Sequence, residues 1–162
     1  MPVTRFNDAM LALTAAYKAA AGLAGVPVYD SVQAMTASQP DFIITGHDGT
    51  LEADGTLAPD ALAGTFTQAN LEMPGVRQET GYINCLIVSQ TGDAGDVADR
   101  RQRASDLLDA AEDAAAASGG FPAAAPGVMF DGTSDGRFIT RLSLGGTAVL
   151  LAYRVYYSTG WN

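Results

Sequence analysis

The sequence predicts an α+β domain: a mostly antiparallel β-sheet with two main helices packed on one face and a C-terminal β-hairpin. Three observations lead there. Helical periodicity is confined to two stretches, at about 4–21 and 96–117. Apolar runs of strand length lie between and after them. A Gly-Gly pair then splits the last apolar stretch into two strands.

The elements follow in order. Thr4 is placed to cap a first helix ending near Ala21, and Phe6, Met10, Leu13, Tyr17 and Ala20 fall on one stripe of it. Gly22 and Gly25 supply its stop. Val26-Pro27-Val28-Tyr29 reads as a short edge piece because proline cannot donate to a ladder. Asp41–Thr45 is the next strand. Residues 46–64 form an acidic loop insertion with Asp48, Glu52, Asp54 and Asp60. Thr65–Glu72 reads as a half-exposed strand, and Tyr82–Ser89 as a strand inside the sheet, apolar on both faces except at Asn84. Asp93, Asp96 and Asp99 suit the positive end of a second helix, whose buried stripe is Val97, Ala104, Leu107, Leu108, Ala111, Ala114 and Ala115. At the C-terminus, Gly145-Gly146 as a two-residue turn pairs Leu144 with Thr147, Leu142 with Val149, Thr140 with Leu151 and Phe138 with Tyr153. That register sets the apolar residues of both strands on one face.

Composition narrows the function. A chain of 162 residues fits a single domain, 1–162, burying roughly 70% of its unfolded surface. Its 48% apolar content is too high for a disordered chain, and no apolar run has the length of a membrane helix. The first eight residues do not read as a signal peptide. A net charge of −9 argues against nucleic-acid binding by counterion release. One cysteine, Cys85, and one histidine, His47, provide neither a disulfide nor a zinc site of the usual ligand type. Cys85 reads as a small core residue and His47 as a turn residue.

Three motifs invite a chemical reading. Phe42-Ile43-Ile44-Thr45-Gly46-His47-Asp48-Gly49-Thr50 resembles the first motif of haloacid-dehalogenase-type phosphatases. The nucleophilic aspartate of that chemistry is here Gly46, so the segment is expected to be a strand entering an Asp-Gly turn. Asp131-Gly132-Thr133-Ser134-Asp135-Gly136 looks like the start of a calcium loop, but the position of its closing glutamate is Leu142, and a tight turn before a strand is expected. Arg100, Arg101 and Arg103 lie at the start of the second helix, with Asp96→Arg100 and Asp99→Arg103 at ion-pair spacing. The far end carries Asp109, Glu112 and Asp113. Arg100 and Arg101 together with those acids form a candidate head-to-tail subunit contact. No catalytic, cofactor or metal site is expected.

The order of segments resembles the tail terminator proteins of long-tailed bacteriophages, actinobacterial phage type, from about residue 5 to 158. Its carriers are the Gly46-His47-Asp48-Gly49 turn after a strand and the Gly92-Asp93 lead into a helix with Arg100, Arg103, Ala104, Leu107, Leu108 and Ala111. The loop at 118–136 has no counterpart. The resemblance implies a ring, hexameric in the family, on the end of the tail tube. That ring stops polymerisation and meets the connector or stopper of the head. It sits at the tail–head junction of the virion after assembly in the host cytoplasm. Its partners would be further copies of itself, the tube protein and the connector, with DNA only passing through the lumen and no membrane. Asp48, Glu52, Asp54 and Asp60 would then line the lumen or dock on the tube. A head-side stopper, a tube subunit and a cellular small-molecule-binding domain are the alternatives. For the last, the sequence shows no cluster of polar residues on one strand face.

Overall fold

The computed structural model describes residues 4–31, 40–70, 77–91, 97–118, 127–143 and 146–161. Helix α1 spans Phe6–Ala19 and buries Ala9, Ala12, Leu13, Thr14 and Tyr17. The stripe seen in the sequence is therefore wider, because small alanines join it where the helix lies close on the sheet. Thr4 does not cap as expected. Arg5 occupies the N-cap position, and Thr4 Oγ1 accepts the Phe6 N–H at 3.0 Å. The helix also stops earlier, at Ala19, and Gly22 lies inside a separate 3-10 turn, Ala21–Leu23. Gly25 then reverses the chain with φ +78°.

Six strands form one sheet: β1 (Val28–Asp30), β2 (Asp41–Thr45), β3 (Gly64–Asn70), β4 (Arg77–Thr91), β5 (Val128–Ser143) and β6 (Gly146–Trp161). The order is β1-β2-β4-β6-β5, and β3 pairs with β4. Only β1 and β2 are parallel; every other pair is antiparallel. Helix α2 spans Val97–Ala117 and buries Ala104, Leu107, Ala111 and Ala115. The fold is α+β, as its sequence predicts.

Both faces of the sheet are covered over part of their area. On the helix side, α1 and α2 pack against Ile43, Ile83, Cys85, Ile87, Val149, Leu151, Tyr153, Val155 and Tyr157. On the far side, Phe42, Ile44, Leu86, Val88, Ala148, Leu150 and Ala152 form a second cluster, packed against Tyr29, Leu51, Leu57 and Ile139. Strand β6 thus feeds both cores, and its apolar residues do not share one face as the hairpin argument required.

The hairpin register also differs from the expected one. Leu142 lies opposite Thr147, Thr140 opposite Val149 and Phe138 opposite Leu151, with Ser143 and Gly146 closing the ladder. Leu144 and Gly145 lie outside the described residues, as do the helix-leading Asp93 and Asp96 and the expected strand end at Glu72. Gly146, with φ +129°, is the first residue of β6 and not a turn residue. A slip of two residues keeps every side chain on its own face. The segment 131–136 is likewise no turn before a strand. It lies within β5, whose register shifts between Phe130 and Gly132 and between Ser134 and Arg137. These bulges absorb the glycines and let Asp135 take φ +58°.

One buried carboxylate locks the helix layer to the sheet. Glu79 of β4 is 0% exposed. Its oxygens accept the Arg5 N–H at 3.1 and 3.2 Å, the Gln68 side-chain amide at 2.9 Å and the Tyr157 hydroxyl at 2.8 Å. A strand carboxylate thereby satisfies an N–H at the start of α1 and meets its positive end. Burial, and then the bond to Glu79, push the Tyr157 hydroxyl well above its ordinary pKa, so it remains a donor. Glu79→Gln keeps the shape but turns one acceptor into a donor facing other donors. The expected loss is about 1–3 kcal/mol in the denaturation midpoint at neutral pH; an unchanged midpoint would remove Glu79 from this role.

Candidate functional site

The site begins with a break in a strand. Strand β4 pairs with β2 from Cys85 to Ser89 and with β3 from Arg77 to Ile83, along the same edge. Thr45 lies opposite Cys85 and Gly64 opposite Ile83. Strands β2 and β3 are in effect one strand, opened at the level of Asn84 by the excursion 46–63. Asn84 holds both ends of that opening. Its carbonyl accepts the N–H groups of Gly46 at 2.7 Å and His47 at 3.1 Å. Its N–H donates to the Ala63 carbonyl at 2.8 Å, and its side-chain amide donates to Leu62 O at 3.0 Å. A polar side chain only 5% exposed, within the apolar stretch Tyr82–Val88, is explained by this closure.

The excursion folds back over the far face of the sheet, where Leu51 and Leu57 cover the second cluster. Its internal post is His47, 2% exposed and not the surface turn residue its sequence context predicts. Gly49 N–H donates to Nδ1 at 2.9 Å, which leaves Nε2 protonated and donating to Ala58 O at 2.9 Å. The ring is thus neutral, and burial lowers its pKa from 6.5. Asp48 accepts the Thr50 N–H at 2.9 Å. Burial pushes its carboxyl upward, but the bonds from Thr50 and Leu62 outweigh that and hold it below its ordinary value. Asp48 closes a local turn, and Gly46, with φ +85°, stands where the phosphatase motif has its nucleophile.

Beyond the excursion the far face is open and polar. Tyr82 lies opposite Tyr156, and Asn84 and Ser134 lie opposite Arg154. The Arg154 guanidinium sits 4.3 Å from the centre of the Tyr82 ring and 3.3 Å from Asp135 Oδ2. Tyr156 donates to the same oxygen at 2.8 Å, which above all keeps the Asp135 carboxyl below its ordinary value. Arg137 donates to the Asp48 carbonyl at 2.9 Å. Asp48, Asn84, Asp135, Arg137 and Arg154 line a cleft of about 320 Å³ with Thr50 and Leu62. A polar cluster does occupy this sheet face, built across strands and not along one strand face: its members come from β4, β5, β6 and the excursion.

The charged residues of α2 divide. Arg103 Nε is 2.9 Å and Arg100 is 3.9 Å from Asp41 of β2. Their ion pairs tie α2 to the sheet, and Asp96, the expected partner of Arg100, lies outside the described residues. Glu112 accepts a bond from Thr133 of β5. Arg101, Asp109 and Asp113 remain exposed on the helix surface, and Glu52, Asp54 and Asp60 on the excursion. No group of three metal-ligating side chains converges among the described residues. Asp131 and Asp135 of the calcium-like segment are spent on Ser158, Arg154 and Tyr156. Cys85 is fully buried, and burial pushes its thiol up to about 12. No helix among the described residues is long and apolar enough to cross a membrane.

No family model and no curated protein matches this chain.

Two outcomes follow from this geometry. Asn84→Ala removes the bond to Leu62 and should cost about 1–2 kcal/mol. The exchange of amide hydrogens should rise within 46–63 and not in α1 or α2; uniform change, or none, would contradict the closure role. His47 should give an acid-sensitive stability. Because burial sets its folded pKa below 6.5, the unfolded chain takes up the proton first. Stability therefore falls as pH drops below about 6.5, until the folded ring also protonates. Denaturant midpoints at pH 7.5 and 5.5 should diverge more for the parent than for His47→Gln; equal divergence would remove His47 from the account.

Proposed function

We propose that this chain is a structural subunit of a long-tailed bacteriophage, a tail terminator that closes the end of the tail tube as a ring and presents the face on which the head connector docks. The observation that supports it best is the order of elements within one sheet. Helix α1, strand β2, the acidic excursion, strand β4, helix α2 and the terminal hairpin follow one another as in the family it resembles. The exposed acids Glu52, Asp54 and Asp60 fit a surface past which DNA slides without being held.

Termination has a simple physical form. Tube subunits carry two complementary faces and add without limit. A ring that matches the tube on one face and differs on the other ends growth, because the next subunit finds no partner.

The polar cleft favours a second reading, a cellular small-molecule-binding domain. Against it, Arg154 is engaged by Asp135 and Tyr82, and Arg137 by the Asp48 carbonyl. A ligand would have to displace bonds already made.

The test is negative-stain microscopy of lysates from a phage lacking this protein. Tubes of uncontrolled length that do not join heads are expected. Tails of normal length joined to heads would defeat the reading. Leaking filled heads beside normal free tails would favour a head-side stopper, and normal virions the binding domain.

A further inference from the structure

Within one copy the sheet ends on β1 and β3 on one side and on β5 on the other. No described strand lies beyond β3 on one side or beyond β5 on the other. Soluble proteins usually defend such edges with charge, proline, bulges or a cover. Strand β3, Gly64–Asn70, has no charged residue and no proline, and its register with β4 is unbroken. Strand β5 is bulged in its first half, but from Arg137 to Ser143 its ladder with β6 is regular. Each of these runs also exposes a phenylalanine: Phe66 is 44% and Phe138 48% exposed. Both lie on the helix-bearing face. Phe66 is 6.3 Å from the ring of Phe6 in α1, and Phe138 is opposite Leu151, a member of the helix-side core.

Basic residues separate the two flanks as well. Residues 19–76, which build β1, β2, the excursion and β3, contain seven acidic residues and no lysine or arginine. Residues 136–162, which build the regular half of β5 and all of β6, contain three arginines and no acid. An edge meeting its own kind across a two-fold axis would bring two arginine-bearing β5 strands together. Unlike edges meeting head to tail set that strand beside β3, which carries no charge.

The strand directions fit. Strand β3 runs opposite to β4, β4 opposite to β6, and β6 opposite to β5. Strand β5 therefore runs opposite to β3, and a neighbouring copy in the same orientation, moved along the strands until residues 137–143 reach the level of β3, continues the sheet in its antiparallel sense.

We infer that the partner at these edges is a second copy of this chain, with β5 residues 137–143 of one copy added to the outer edge of β3 of the next. The contact is heterologous: it uses two different patches, so each copy keeps one of each to offer until a ring closes. It deepens the ring reading above and rests on that reading for closure. It also moves the subunit contact from the charges of α2 to the margins of the sheet.

The experiment measures mass in solution by sedimentation, for the whole chain and for Phe66→Lys and Phe138→Lys. Both substitutions are at exposed positions, and circular dichroism and thermal midpoints confirm folding. If either fails to fold, Ala69→Lys in β3 or Thr140→Lys in β5 replaces it. The parent should associate as concentration rises to about 1 mM. Each variant alone should remain a monomer, having lost one of its two edges. An equimolar mixture should double in mass and go no further, since one intact β5 meets one intact β3. A parent that stays monomeric, a Phe66→Lys variant that still dimerises, or a mixture that stays monomeric would each overturn the inference. None of these touches the tube-end reading, which stands or falls on the microscopy of the deletion.

Discussion

Strand β4 carries the molecule, and the constraint on which the rest depends is the opening beside Asn84. One edge of β4 pairs with β6 along its whole length. The other pairs with β2, then with β3, and between them Asn84 spends its carbonyl, its N–H and its side-chain amide on the two ends of the excursion. Without that closure, buried backbone groups at the break would have no partners, each at a cost comparable to a lost hydrogen bond. With it, a long connection becomes a packed flap, and the far face of the sheet acquires its own apolar core under Leu51 and Leu57. His47 then stiffens the flap from within through both ring nitrogens.

The two faces consequently differ. The helix side is closed by apolar packing, by the Tyr17–Tyr153 hydroxyl pair at 3.0 Å and by Glu79 at the start of α1. The far side is apolar where the flap lies and polar where it ends, with Arg154 and Asp135 paired on an open floor. At its surface are the runs of β3 and β5 at the rims of the sheet and the acids on the flap.

Much of the fold was legible because the signals were local. The stripes of α1 and α2, the limits of β2 and the buried middle of β4 come from periodicity within single segments. Asn84 was visible as an anomaly, although its purpose was not, since its partners Leu62, Ala63, Gly46 and His47 lie far back in the sequence. The length of β4, the bulges of β5 and the hairpin register were not legible. Gly145 and Gly146 both permit positive φ, so the turn chemistry allowed two registers that differ by two residues and keep the same faces. The polar floor escaped notice for a different reason. Tyr82, Arg154 and Asp135 sit in three strands and become neighbours only through pairing. Glu79 lies just before the apolar stretch Tyr82–Val88, and nothing near it in sequence announces the start of α1. The charges of α2 misled in turn, because Asp41 claims Arg100 and Arg103 from across the fold.

Termination is a claim about place, and place is directly observable. The most direct measurement is gold labelling of an epitope tag on this protein in purified intact tails, with label positions counted along each tube. The account predicts one cluster per tail, at the end that joins the head. Label spread along the tube, or confined to heads with none on tails, would contradict it.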